Sequence, residues 1–237
     1  MTEAAPLSWS LLAAAGGVGV VHTLLGPDHY LPFIMLARAR RWSRLRTVVV
    51  TAACGLGHVA SSVALGGIGI ALGLAIGQVE SLESGRGPIA AWALVAFGFA
   101  YALWGLRHAL RRRAGLAAHS HGGELHLHSH GASPHAHGNE PVGASTSFWT
   151  LFIVFVLGPC EPLIPLFALP ASQGRWDVAA LTALVFGAAT LASMLGATLA
   201  GVEGLKMLRL GALERWSHVV AGAVIAAAGL SVIYLGL

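Results

Sequence analysis

Six long apolar runs dominate this sequence, at about residues 9–36, 48–76, 88–110, 148–169, 178–202 and 219–237. Each is long enough to cross a hydrocarbon core about 30 Å thick, which takes roughly 20 residues of helix. Inside such a core every backbone N–H and C=O must be satisfied by the segment itself, so runs of this length fold as helices. Composition agrees. Only 10% of residues are charged and 56% are apolar, whereas a soluble domain carries about 25% charged residues. Mean hydropathy is +0.72. The first two runs exceed a simple span and are expected to tilt or break.

The charges fall between the runs. Arg38, Arg40, Arg41, Arg44 and Arg46 separate the first two; Arg107, Arg111, Arg112 and Arg113 follow the third; Lys206, Arg209 and Arg215 separate the last two. On the other side stand only Arg86 and Arg175, so the 14 basic residues divide twelve to two. Cytoplasmic loops carry the Lys/Arg excess. Both termini are therefore expected outside the cytoplasm, with the chain in a bacterial-type inner (plasma) membrane. The net charge of +4 and pI of about 9.7 then reflect topology, and nucleic acid is not an expected partner. The first ten residues hold an acid and no Lys or Arg. They lack the basic start of a cleavable signal peptide and read as part of the first span. Two cysteines, Cys54 and Cys160, both inside apolar runs, do not make a secreted disulfide framework.

Residues 111–147 differ in kind, being rich in Gly, Ser, Pro and His and poor in large apolar side chains. They read as a disordered cytoplasmic loop dividing the chain into a first three-helix repeat, 1–110, and a second, 148–237. The halves echo one another. Leu25-Gly26-Pro27-Asp28-His29 is matched by Leu157-Gly158-Pro159-Cys160-Glu161, and a further proline follows each, Pro32 and Pro165. Two units of three spans insert with opposite orientation, the inverted-repeat plan in which interrupted helices build a site near the midplane. The expected fold is all-α: a polytopic membrane protein of six transmembrane helices in two inverted three-helix repeats, with helices 1 and 4 broken by proline.

Ionisable groups in mid-span cost at least about 2.5–3.5 kcal/mol each and are functional by default. The candidates are His22, Asp28 and His29 in the first span, His58 in the second, and Cys160 and Glu161 in the fourth. Imidazole, carboxylate and thiolate together suit Ni, Co, Zn or Cu far better than Mg or Ca. On a straight helix His22 and His29 would stand about 10 Å apart along the axis. A break at Gly26-Pro27 would let them converge, since proline removes a helical hydrogen bond and glycine admits unusual dihedrals. Pro159, Pro162 and Pro165 offer the same in the fourth span. The plain alternative makes these groups interhelical packing and hydrogen-bonding residues. That reading suits Cys54, one turn before His58, as well as Ser61, Ser62, Thr190 and Ser193. His108 and His218 fall at span ends and read as interfacial. In the loop, His119, His121, His126, His128, His130, His135 and His137 form repeated His-x-His elements, a metal-capture composition.

On these residues the chain resembles the nickel/cobalt transporter superfamily, in its urease-accessory-type and nickel-cobalt efflux branches. The resemblance rests on His22-Thr-Leu-Leu-Gly-Pro-Asp28-His29, on Gly55-Leu-Gly-His58, and on the arginine-rich stretch between them. It is clearest over about residues 20–65. The usual family spacing leaves four residues between His and Asp-His; this chain has five. Gly158-Pro159-Cys160 also resembles the membrane thiol–disulfide electron carriers, which share the broader six-span plan and use a cysteine in each repeat. Here Asp28 stands opposite Cys160, so a redox pair would have to recruit Cys54.

The expected function is therefore transport of a divalent transition-metal ion, Ni²⁺ or Co²⁺ with Zn²⁺ a further candidate. Efflux is favoured by a capture loop on the cytoplasmic side. His22, Asp28, His29 and His58 are the expected ligands, with Cys160 and Glu161 from the second repeat. The metal is cargo; no permanent cofactor and no enzymatic reaction is expected. Partners are metal ions and the lipid bilayer, with a homo-oligomer left open. Two alternatives stand beside this: an electron carrier using Cys54 and Cys160, and an exporter of a small sulfur or organic anion.

Overall fold

The structure is a computed structural model and describes residues 4–113, 119–121, 124–126, 144–207 and 211–236. The first apolar run forms α1 (Ala4–Leu25) and stops at Gly26. Pro27 has no N–H to donate and disfavours helical geometry in the residue before it, and Gly26 is accordingly extended, at φ −87°, ψ 95°. A single 3₁₀ turn, Pro27–His29, leads into α2 (Leu31–Ala39), and the axis bends by 85° across this break.

Ser43 starts α3 (Arg44–Ala71) as its N-cap, its Oγ accepting from the Arg46 N–H at 3.2 Å. The next helix, α4, runs from Ile76 to Arg113. Pro88 therefore lies inside this helix, where a span start was expected. The second half opens with α5 (Ala144–Leu157) and α6 (Leu163–Ser172), separated by residues 158–162. It continues through α7 (Trp176–Met207) and a 3₁₀ turn, Gly211–Trp216, into α8 (Ser217–Leu235). Gly73 and Gly174, at φ 78° and 76°, supply the left-handed residue that ends α3 and α6.

Both proline breaks expected from the sequence are thus present. The span count is coarser than expected. Among the described residues, four helices are long and apolar enough to cross a membrane, or five if α1 and α2 form one bent span. The fourth expected span, 148–169, is divided between two helices each too short to cross alone. Large apolar side chains, among them Val49, Leu56, Ile68, Trp92, Phe99 and Leu184, project from the outside of the bundle. The number and surface of these helices fit an integral membrane protein. Within the expected loop, His119–His121 and Glu124–His126 pair as two short antiparallel strands. His128, His130, His135 and His137 lie outside the described residues.

Helix pairing is reciprocal between the halves. α1 and α2 pack on α7, as α5 and α6 pack on α3; α2 meets α8, as α4 meets α5 and α6. The two middle helices, α3 and α7, touch each other, and the most extensive contact joins the two last helices, α4 and α8. There, Gly98, Gly222 and Gly229 bring backbone against backbone: a Cβ on any of them would collide with the facing helix, the close approach that small residues allow in membranes.

Two apolar clusters flank the middle of α3. Val50 and Cys54 join Phe33, Leu36, Leu94, Tyr101, Val154, Phe155 and Met194 on one side. Val59 and Val63 join Ala15, Cys160, Leu163, Phe167 and Phe186 on the other. His58 sits between them. The basic loops share one end of the bundle: Arg41 pairs with Glu214 at 2.9 Å, and Arg40 Nε donates to Tyr101 Oη at 3.3 Å.

Candidate metal centre

The first break closes on itself. Gly26 N–H donates to His22 O at 3.0 Å, His29 N–H to Gly26 O at 3.1 Å, and Tyr30 N–H to Pro27 O at 3.4 Å. The His29 ring is held by the same turn. Its Nδ1 lies 3.2 Å from Gly26 O and 3.1 Å from Asp28 Oδ1. Both partners are acceptors, so Nδ1 carries the hydrogen and donates, and in the neutral ring Nε2 keeps its lone pair. Bending the chain here also closes the axial gap expected on a straight helix: the His22 and His29 rings lie 4.7 Å apart, centre to centre.

The second break is held from outside. The last carbonyls of a helix have no partner within it. At the end of α5, Gly158 N–H returns to Val154 O and Phe155 O. The His58 Nδ1–H, reaching across from α3, donates to Phe155 O at 3.2 Å. Arg86 Nη2, from α4, donates to Val156 O. Past the break, Cys160 N–H donates to Ser62 Oγ at 3.1 Å. Side chains of the first half thus complete the turn that presents Cys160.

The end of α1, α3 and the second break bring three of the six expected ligands, His22, His58 and Cys160, into one group, and the His29 ring lies beside those of His22 and His58. The His29 and His58 rings are 5.2 Å apart. One donor atom from each of His22, His58 and Cys160 lies within 4.8 Å of the other two. Ligands around one tetrahedral ion with bonds of about 2.0–2.3 Å stand roughly 3.5 Å apart, so a contraction of about 1 Å would close the shell. His22 Nε2, His29 Nε2 and His58 Nε2 are all buried and have no hydrogen-bond partner among the described residues.

Asp28 and Glu161 take different places. Asp28 is 28% exposed at its side chain and bonds to His29; it orients a ring, and its carboxylate is not in the His22–His58–Cys160 group. Glu161 is exposed. Both line a cavity of about 460 Å³ whose floor holds His29, His58, Leu94 and Phe155. The exposed residues of its wall, Ser84, Pro88, Glu161 and Gly236, belong to the first part of α4, the second break and the end of α8. The cavity therefore opens at the end of the bundle away from the basic loops. Cys54 is fully buried in the other apolar cluster from Cys160, and both thiols are free. His108 and His218 join an aromatic group with Tyr101 and Trp104 near the basic end, with Tyr101 Oη and His218 Nδ1 at 2.8 Å.

Four participants escaped the sequence reading. Ser61 and Ser62 read as packing residues, and Arg86 as a loop charge; Glu83 drew no notice. Glu83 is fully buried in α4 and pairs with Arg86 at 2.8 Å. The available signal was an acid three residues before a base on a helix starting well ahead of Pro88. Comparison with known proteins finds no matching family, no similar curated protein and no similar solved structure.

Proposed function

We propose that this chain is a membrane carrier for a divalent transition-metal ion, Ni²⁺ or Co²⁺, and that the ion binds between the two broken helices. The observation that carries this is the set of three imidazoles whose buried Nε2 atoms lack hydrogen-bond partners among the described residues, two of them, His22 and His58, grouped with the buried Cys160 thiol. Burying a polar atom unbonded costs roughly 1–3 kcal/mol. Three such atoms on neighbouring rings ask for a ligand that accepts nitrogen lone pairs, and a metal ion does so. Imidazole and thiolate favour Ni, Co, Zn or Cu over Mg or Ca. Nδ1–H donation from His29 and His58 to protein acceptors is the support that fixes a metal-binding imidazole in orientation and tautomer.

In this reading the six apolar runs are six spans in two inverted repeats, and the reciprocal helix pairing supports it. The basic end is cytoplasmic and so is the His-rich loop. The cavity is then the outward-facing half of an alternating-access pathway. The aromatic contact of Phe33 with Phe155, 4.8 Å between ring centres, closes the opposite half. Release from this cavity is export.

Purified protein in liposomes, loaded with a metal-sensitive dye, tests the proposal. Ni²⁺ or Co²⁺ should cross, Mg²⁺ and Ca²⁺ should not, and His58→Ala should be inactive. Flux no faster than through empty liposomes would refute it.

A further inference from the structure

We propose that Glu83 and Arg86 are positioning residues that set the Cys160 thiol in the metal shell; this rests on the metal-carrier reading above. Three facts meet at the second break. The first is the reach of one guanidinium. Arg86 Nη1 donates to Glu83 Oε2 at 2.8 Å, while Nη2 donates to Ser61 Oγ at 3.0 Å and to Val156 O. One planar group therefore joins α3, α4 and the last turn of α5. The second is adjacency. Ser62, the neighbour of Ser61, accepts the Cys160 N–H, and a Cβ at Gly87 would lie 3.3 Å from Pro159 Cγ. The α4 backbone and the Arg86 side chain thus bear on both sides of Gly158-Pro159-Cys160. The third is incompleteness. Glu83 is fully buried, yet its Oε1 has no hydrogen-bond partner. Buried ion pairs are often no more stabilising than apolar residues of the same volume, and one left partly unsatisfied gives still less. Stability alone is a poor reason to keep this pair; the placement of the Val156 carbonyl, two residues from Gly158, is a better one.

Arg86 acts here through its fork. A lysine supplies the charge at a single point and does not span Glu83, Ser61 and Val156 together. Without the fork the end of α5 loses a carbonyl partner, the break relaxes, and the thiol leaves the metal while the imidazoles, anchored elsewhere, remain.

The test is a Co²⁺ titration of the purified full-length protein, reading two absorptions together. The visible ligand-field bands report binding, and the near-ultraviolet sulfur-to-cobalt charge-transfer band reports the thiolate. Cys160→Ser defines the spectrum without sulfur. Arg86→Lys and the isosteric Glu83→Gln should keep the ligand-field bands, lose most of the charge-transfer band, and bind Co²⁺ about 10–100-fold more weakly, the usual loss for a supporting residue. Arg86→Met should go further in the same direction. Charge-transfer intensity and affinity unchanged from wild type in Arg86→Lys and Glu83→Gln would overturn the positioning role and leave the metal site standing. A wild-type protein that binds Co²⁺ without the band would overturn the positioning role alone, and one that does not bind Co²⁺ would overturn both.

Discussion

The two helix breaks begin with the same Gly-Pro step and are stabilised in opposite ways. At Gly26-Pro27 every hydrogen bond that shapes the turn comes from residues 22–30, and His22, Asp28 and His29 are presented by that turn alone. At Gly158-Pro159 the turn is completed by His58, Ser62 and Arg86, which lie 70 to 98 residues earlier in the chain. The first break is a preformed local motif. The second exists in this form only while the two halves are docked as they are here. In a carrier that alternates between two arrangements of its halves, the imidazoles of the first break would keep their mutual geometry. The Cys160 contact would be made and broken. His58 belongs to both: its Nδ1 caps α5 while its Nε2 faces the site.

That difference ranks the consequences of mutation. The largest loss is expected at His58→Ala, which removes a ligand and the partner of Phe155 O at once. Metal affinity, measured by equilibrium dialysis, should fall more than the roughly 100-fold seen when only a supporting residue is lost. A loss below about tenfold would separate His58 from the metal.

Next comes a matched pair of glycine substitutions. A Cβ at Gly26 would lie 2.5 Å from His29 Nδ1 and 2.9 Å from Asp28 Oδ1, whereas at Gly158 the nearest atoms are 3.3 and 3.4 Å away. Gly26→Ala should displace the His29 ring and weaken binding about 10–100-fold, and Gly158→Ala should weaken it clearly less. The reverse order would contradict the view that the first break is the rigid one. Asp28→Asn keeps an acceptor for His29 but removes the charge, and should cost about tenfold, the lower end for supporting partners. The same titration checks it, and no change would make Asp28 a bystander. Cys54→Ala should leave affinity unaltered, because Cys54 packs in the cluster away from Cys160. Lost binding in that variant would bring the two-cysteine electron carrier back into consideration.

The same contrast explains what the sequence made legible. Gly26-Pro27-Asp28-His29 could be read because its breaker, its ligands and its hydrogen-bond partners are neighbours in the chain. The break at Gly158-Pro159 was equally visible, and Cys160 with it. The residues that hold it were not, since nothing local links Arg86 to Val156 or Ser62 to Cys160. Arg86 was further hidden by its place outside the apolar run. The apolar run begins at 88, after the charged Glu80, Glu83 and Arg86, and so 88 was the expected beginning of a span; α4 begins at Ile76 and carries Pro88 in its interior. Glu161 entered the candidate set with Cys160 as an ionisable group in mid-span. Across a non-helical turn neighbouring side chains diverge: one is buried at the site and the other exposed at the cavity mouth.

X-ray absorption at the metal edge of protein loaded with one equivalent of Ni²⁺ or Co²⁺ tests the central claim most directly, that one ion is held by both breaks together. A mixed shell is predicted, with imidazole nitrogens at about 2.0–2.1 Å and one sulfur at about 2.3 Å, distances expected by analogy with zinc sites. The sulfur should vanish in Cys160→Ser and the nitrogens should remain. A shell of oxygen alone, or one unchanged by Cys160→Ser and by His58→Ala, would contradict the account.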